Sequence, residues 1–351
     1  MDFGSSIVVP SVQELAKENL ADVPPRYLRP DQQELIISQV DGSLGIPVID
    51  FQNLLSNEVG NDELTKLHLA CKEWGFFQLV NHGLDSNILD KIKLDVQDFF
   101  KIPISEKKKL RQSPGNIEGF GHVFVVSEEQ KLDWSDIFMI STHPIHARNP
   151  HLFPNLPLPF RDTLECYSEE INNIGETLIR LIAKALESKE IEELFEDGVQ
   201  IIRINYYPPC PQPEKVIGLT PHSDGGGLTI LLQANDVEGL QIKKDGMWFP
   251  IKPLPNAFIV NIGDMLEIIT NGLYRSIEHR AVVNSEKERL SIATFCNVRK
   301  DGVIGPAKNL ISEQTPARFK RLELREYLRS RFSRKLEGKS HLDTLRIENY
   351  D

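Results

Sequence analysis

The chain has 351 residues, 40% of them hydrophobic and 26% charged, an ordinary balance for a soluble globular protein with a sizeable core. Its formal net charge of −11 argues against nucleic acid and against an anionic membrane surface as partner. No apolar run approaches the roughly 20 residues of a membrane-spanning helix.

Residues 1–45 read as a short helix followed by a Pro-rich arm. The segment IPVIDF (46–51) reads as a strand, and Leu64, Leu67, Cys71 and Trp74 predict a helix over 62–76. GFFQLVNHG (75–83) predicts a strand ending in a turn, with His82 as a turn residue. A helix beginning at Asp85 and Ser86 carries Leu89, Ile92, Val96 and Phe99 on one stripe. Residues 111–150 read as loop-rich. A long helix is expected over 161–187, with Ile171, Ile174, Leu178, Leu181 and Ala185 on one side. The acidic run 189–198 reads as a solvated surface. Short strands then recur at 200–207, 228–233, 238–243, 248–252, 257–262, 276–283 and 289–297, a pattern of sandwiches and jelly rolls. From 315 the chain reads helical again, with Leu322, Leu324 and Tyr327 expected to pack over the barrel mouth.

Within that β-rich stretch, LTPHSDGGGLTILLQ (219–233) sets His222 and Asp224 one residue apart, so on a strand they share a face. Three glycines follow without Gly-Lys-Ser/Thr, which excludes a P-loop and suggests a bend where backbone passes close to something. An H-x-D pair alone is common. His279, on an apolar strand with Ile277, Ala281 and Val283, would by itself read as a core histidine. Together the three make two histidines and a carboxylate, the facial set that holds Fe(II) with coordination positions to spare. Ten residues on, the strand RLSIATFCN puts Arg289, Ser291, Ala293, Phe295 and Asn297 on one face and Leu290, Ile292 and Thr294 on the other. A guanidinium fork beside a hydroxyl suits a dicarboxylate. IIRINYY repeats the pattern, with Arg203, Asn205 and Tyr207 opposite Ile202, Ile204 and Tyr206.

These residues, with IPVIDF, ACKEWGFFQLVNHG, NYYPPCPQPE, FIVNIGD and TNGLYRSIEHRAVVN, make the chain resemble the plant 2-oxoglutarate- and Fe(II)-dependent dioxygenases. It is most similar to their senescence-related subgroup, which includes the opium-poppy alkaloid O-demethylases. The resemblance implies an α+β fold, a double-stranded β-helix (jelly-roll) core flanked by helices. It implies an N-terminal arm (1–45), a helical and mixed region (46–195), the dioxygenase core (198–299) and a helical tail (300–351). It also implies His222, Asp224 and His279 as iron ligands, and Arg289, Ser291, Tyr207 and Asn205 as binders of 2-oxoglutarate. Dioxygen would be the second cosubstrate, succinate and CO2 the coproducts, and ascorbate a supporting reductant.

Phe295, Asn297, Arg203 and Phe124 are the candidate substrate contacts. Lysine and glutamate stand in place of Arg203 and Asn297 in the anthocyanidin-synthase-like pattern, which argues against a flavonoid. A small aromatic, hydrophobic specialised metabolite is the expected substrate, hydroxylated or O-demethylated. Two other readings stay open: an Fe(II) oxidase on the same fold that does not use 2-oxoglutarate, and a non-catalytic small-molecule binder. The four scattered cysteines argue for a reducing compartment. The N-terminus lacks the marks of a signal peptide, and the C-terminus those of prenylation or peroxisomal targeting. A cytoplasmic monomer is expected, with a nuclear pool compatible.

Overall fold

In the computed structural model, residues 6–18, 20–30, 45–113 and 115–347 are described; of the expected N-terminal arm (1–45), the Pro-rich stretch lies within them and 31–44 lies outside. The strands are β1 (Val48–Asp50), β2 (Phe76–Val80), β3 (Gly119–Gly121), β4 (Asp136–His143), β5 (Val199–Tyr207), β6 (Leu219–His222) and β7 (Leu228–Gln233). They continue as β8 (Leu240–Lys244), β9 (Met247–Pro250), β10 (Phe258–Ile262), β11 (His279–Ala281), β12 (Arg289–Asn297), β13 (Val303–Ile304) and β14 (Leu322–Glu323). The helices are α1 (Val12–Ala16), α2 (Phe51–Leu55), α3 (Gly60–Leu69), α4 (Ser86–Lys101) and α5 (Ile104–Lys109). After them come α6 (Phe160–Ala185), α7 (Lys189–Phe195), α8 (Asp264–Ile269), α9 (Leu324–Phe332) and α10 (Ser340–Asp343).

An eight-stranded sheet in the order β1-β2-β10-β7-β12-β5-β4-β3 faces a four-stranded sheet in the order β6-β11-β8-β9. This is the expected jelly roll flanked by helices. Alternation along β5 and β12 decides what lies on each side of the large sheet. Ile202, Ile204, Tyr206, Leu290 and Ile292 join one apolar core with Ile171, Ile174, Leu178 and Ile182 of α6. Burying each such side chain stabilises the fold by about 1.5–3 kcal/mol. The opposite face, carrying Arg203, Asn205, Tyr207, Arg289 and Ser291, is left for the space between the sheets.

Several expectations need correction. The stretch 111–150 is not simply loop: it holds β3 and β4, and β4 pairs along β5 with all but its last residue buried. A strand covered on both faces shows no polar alternation to betray it. The acidic run 189–198 is mostly a helix; its glutamates face outward, but Ile191 and Phe195 are buried. The helix expected over 62–76 changes at Ala70 into a π-helical turn ending at Gly75 (φ 62°). A Cβ on Gly75 would sit 2.1 Å from the Arg275 carbonyl oxygen, so only glycine fits. The sequence suggests a strand at His222 without bounds, which is β6, and gives no sign of α8.

Candidate active site

His222 ends β6, and His279, its cross-strand partner, opens β11. The two rings lie 4.3 Å apart between centroids. The chain leaves β6 after His222 and turns so that Asp224 Oδ1 sits 3.5 Å from His222 Nε2 and 3.6 Å from His279 Nε2. All three side chains are buried, with one donor atom from each within 4.8 Å of the others. Hydrogen bonds settle which nitrogens are available. His222 Nδ1 donates to the Thr220 carbonyl (2.8 Å) and His279 Nδ1 to the Ile277 carbonyl (3.1 Å). Each Nε2 lone pair therefore points at the shared centre, the tautomer a metal ligand requires.

Asp224 is oriented by two further donors. Thr229 Oγ1 (2.7 Å) and Asn261 Nδ2 (2.9 Å) both bond Oδ2, which leaves Oδ1 for the centre. Burial opposes ionisation of Asp224; positive charge at the centre, carried by His279 and His222 when protonated, and the Asn261 amide more than offset it. The carboxyl is held well below the usual carboxylate range. Burial, reinforced by His222, pushes His279 down to about 4, so its ring is neutral at physiological pH. An anionic carboxylate and a neutral imidazole are the protonation states in which these side chains coordinate a divalent cation. The donor set, two nitrogens and one oxygen, fits Fe(II).

A cavity of about 50 Å3 leads from this centre to the far end of β12. Arg289 pairs in register with Tyr207, and Ser291 with Asn205. The guanidinium is 2% exposed, lies 5.2 Å from the centroid of the Tyr207 ring, and leaves Nε without a partner. Asn205 Nδ2 donates to Ser291 Oγ (3.3 Å), while Asn205 Oδ1 is unpartnered. Among the described residues no carboxylate forms an ion pair with Arg289. A buried cation costs several kcal/mol unless an anion joins it. The lining thus fits an acid with one carboxylate at Arg289 and a chelating end at the three ligands.

His222 and Asp224 also border a cavity of about 820 Å3. The four residues nominated as substrate contacts all line it: Phe124, Arg203, Phe295 and Asn297. Phe124 stacks on Phe332 of α9 with centroids 5.1 Å apart. Leu324, Leu328, Met139 and Ile201 make much of the wall apolar. Arg203 is 7% exposed and its Nε is unpartnered. Asn297 is less free than expected, because its amide donates to the Val199 carbonyl (3.1 Å).

Residues 198–298 match the 2OG-Fe(II) oxygenase superfamily, and residues 46–156 match the non-haem dioxygenase in morphine synthesis N-terminal region. Protein SRG1 of Arabidopsis thaliana is 62% identical, with 98% of each chain covered. The chain belongs to the plant 2-oxoglutarate- and Fe(II)-dependent oxygenases. Within that family it is also 54% identical to codeine O-demethylase of Papaver somniferum, again over 98% of both chains. The crystal structure of JOX2 in complex with 2OG, Fe and JA superposes with a TM-score of 0.89 at 35% identity, covering 98% of this chain and 100% of that one.

Some site residues were not anticipated. Asn261 and Thr229 each put one polar side chain on an apolar strand, a signal that was readable. Asp264, Tyr327 and Arg331 meet the H-x-D loop only through the fold.

Proposed function

We propose that this oxygenase hydroxylates or O-demethylates a small, largely hydrophobic aromatic metabolite, with release of succinate and CO2. The observation that carries the reading is the buried, unpaired Arg289 sharing one narrow cavity with the three metal-ligating side chains. In this reading His222, Asp224 and His279 hold Fe(II), and Arg289, Ser291, Tyr207 and Asn205 hold 2-oxoglutarate. Together, Fe(II) and 2-oxoglutarate when bound activate dioxygen, one oxygen atom going to succinate and the other to a substrate C–H bond.

The chain's own part is binding, orientation and exclusion of water. Thr229 and Asn261 keep Asp224 turned toward the centre. Arg289 pairs with the distal carboxylate, with Ser291 donating beside it and Tyr207 contacting the cosubstrate from the facing strand. Phe295 offers a face for an aromatic ring, and Phe124 and Phe332 close the wall beyond it. Arg203 and Asn297 supply polar contacts that orient the substrate. When the attacked carbon is an O-methyl group, hydroxylation gives a hemiacetal. Its collapse releases formaldehyde and leaves the free hydroxyl. Similarity to codeine O-demethylase supports that outcome. Ascorbate supports activity by keeping the iron reduced, and the enzyme works as a monomer in the cytoplasm, a nuclear pool being compatible.

The test is a mass-spectrometric screen of plant metabolites with purified enzyme and Fe(II), with and without 2-oxoglutarate. The expected products gain one oxygen atom or lose one methylene unit only when 2-oxoglutarate is present, with equimolar succinate. Product formation without 2-oxoglutarate overturns the proposal in favour of an oxidase.

A further inference from the structure

The loop from Ser223 to Gly227 carries one metal-ligating side chain and follows directly on another. Every one of its five backbone carbonyls accepts a hydrogen bond, three from backbone amides and two from side chains. Those of Asp224, Gly226 and Gly227 accept from the backbone amides of Asp264 (2.7 Å), Met265 (3.0 Å) and Gly263 (2.8 Å). Those of Ser223 and Gly225 accept from side chains of α9: Arg331 Nη2 (2.6 Å) and Tyr327 Oη (2.7 Å).

The two α9 donors therefore flank Asp224 on either side in sequence. Leu324, Tyr327 and Arg331 form the buried face of the helix. Arg331 is also 3.8 Å from Asp264, whose carboxylate accepts from Ser223 Oγ at 3.1 Å. Glycine at 225 permits this approach, since a Cβ there would lie 3.0 Å from Arg331 Nε. Further along the tail, Gly338 clasps the preceding residues. Its N–H donates to the Pro221 carbonyl (2.9 Å), and its carbonyl accepts from Ser223 N–H (3.2 Å).

We infer that Tyr327 and Arg331 are positioning residues for metal binding. Arg331 holds the carbonyl of the peptide that leads into Asp224, and Tyr327 holds that of the next residue, Gly225, so with the Asp264 amide on the Asp224 carbonyl they fix the backbone run that aims its Oδ1 at the two histidines. Helix α9 is then part of the metal site, beyond any role as a cover for the cavity. The inference rests on the triad holding the metal.

The experiment is anaerobic titration of the metal-free full-length protein with Fe(II), and separately with Co(II), whose d–d absorption reports ligand geometry. Tyr327→Phe, which removes only a hydroxyl, is expected to weaken both metals about tenfold, the lower end of what loss of a ligand-orienting partner costs. Arg331→Met is expected to weaken them about tenfold to a hundredfold and to alter the Co(II) bands, with Arg331→Lys recovering part of the loss. Circular dichroism separates these effects from unfolding, and if Arg331→Met does not fold, Tyr327→Phe decides alone. Wild-type affinity and an unchanged Co(II) spectrum in the folded variants overturn the inference while leaving the triad intact. Failure of the wild-type chain to bind either metal overturns the triad reading, and this inference with it.

Discussion

Arg289 offers the sharpest quantitative test, because its position makes opposite demands with and without cosubstrate. The guanidinium is 2% exposed and, among the described residues, has no carboxylate partner. Burial pulls its pKa below the usual arginine value, and the Tyr207 ring and hydroxyl only partly restore it. Arg289→Met should therefore leave the cosubstrate-free protein as stable as the wild type, or more stable, since an uncompensated buried charge is removed. In the complex the sign reverses. Removing the partner of a desolvated carboxylate costs about 2–5 kcal/mol. At about 1.4 kcal/mol per tenfold, this weakens 2-oxoglutarate by about 30-fold to about 3,000-fold. Arg289→Lys should recover only part, because lysine supplies charge without the planar fork. Ser291→Ala should cost about 1.5–3 kcal/mol, the loss of a single hydrogen bond to a charged group. The assay is thermal denaturation across a 2-oxoglutarate titration at saturating metal. A wild-type protein at 100 times its dissociation constant gains about 2.7 kcal/mol, whereas Arg289→Met at the same concentration should gain little. Equal ligand-induced shifts in Arg289→Met and wild type would refute the assignment of this cavity to 2-oxoglutarate.

Removing any one of the three ligands, by His222→Ala, Asp224→Ala or His279→Ala, should abolish turnover and sharply weaken Fe(II) while the fold persists, as checked by metal titration and circular dichroism. Asn261→Ala and Thr229→Val each take one donor from Asp224 Oδ2. Metal affinity should fall about tenfold to a hundredfold in each, and an unchanged titration would deny them an orienting role. Gly227→Ala would place a Cβ 2.4 Å from Phe195 Cε1 and 2.7 Å from the Cys296 carbonyl oxygen. Overpacking of this kind costs about 1–3 kcal/mol, visible as a lower midpoint in calorimetry; an unshifted midpoint would mean that α7 yields freely.

Local chemistry was readable wherever it repeats on the period of its own element. Arg289 and Ser291, and Arg203, Asn205 and Tyr207, alternate with apolar residues because one face of each strand packs on α6 and the other does not. His222 and Asp224 announced a site by spacing, although Asp224 reaches it from a turn rather than from the strand. The long helix was equally clear, since its buried stripe runs through many turns, from Phe160 to Ala183. What escaped had no local signature. β4 is covered on both faces, so its sequence carries no alternation, and the short α8 gives periodicity too little length to register. That Arg289 lacks an anionic partner among the described residues is a fact about all its neighbours at once. The same holds for Tyr327 and Arg331: the sequence marks Tyr327 as an apolar packing residue and Arg331 as one charge on a charge-rich helix, and neither as a partner of the H-x-D loop. Only the packing of α9 against the 223–227 loop turns them toward Gly225 and Ser223, because long-range contacts depend on how the elements are placed and not on the spacing within any one of them.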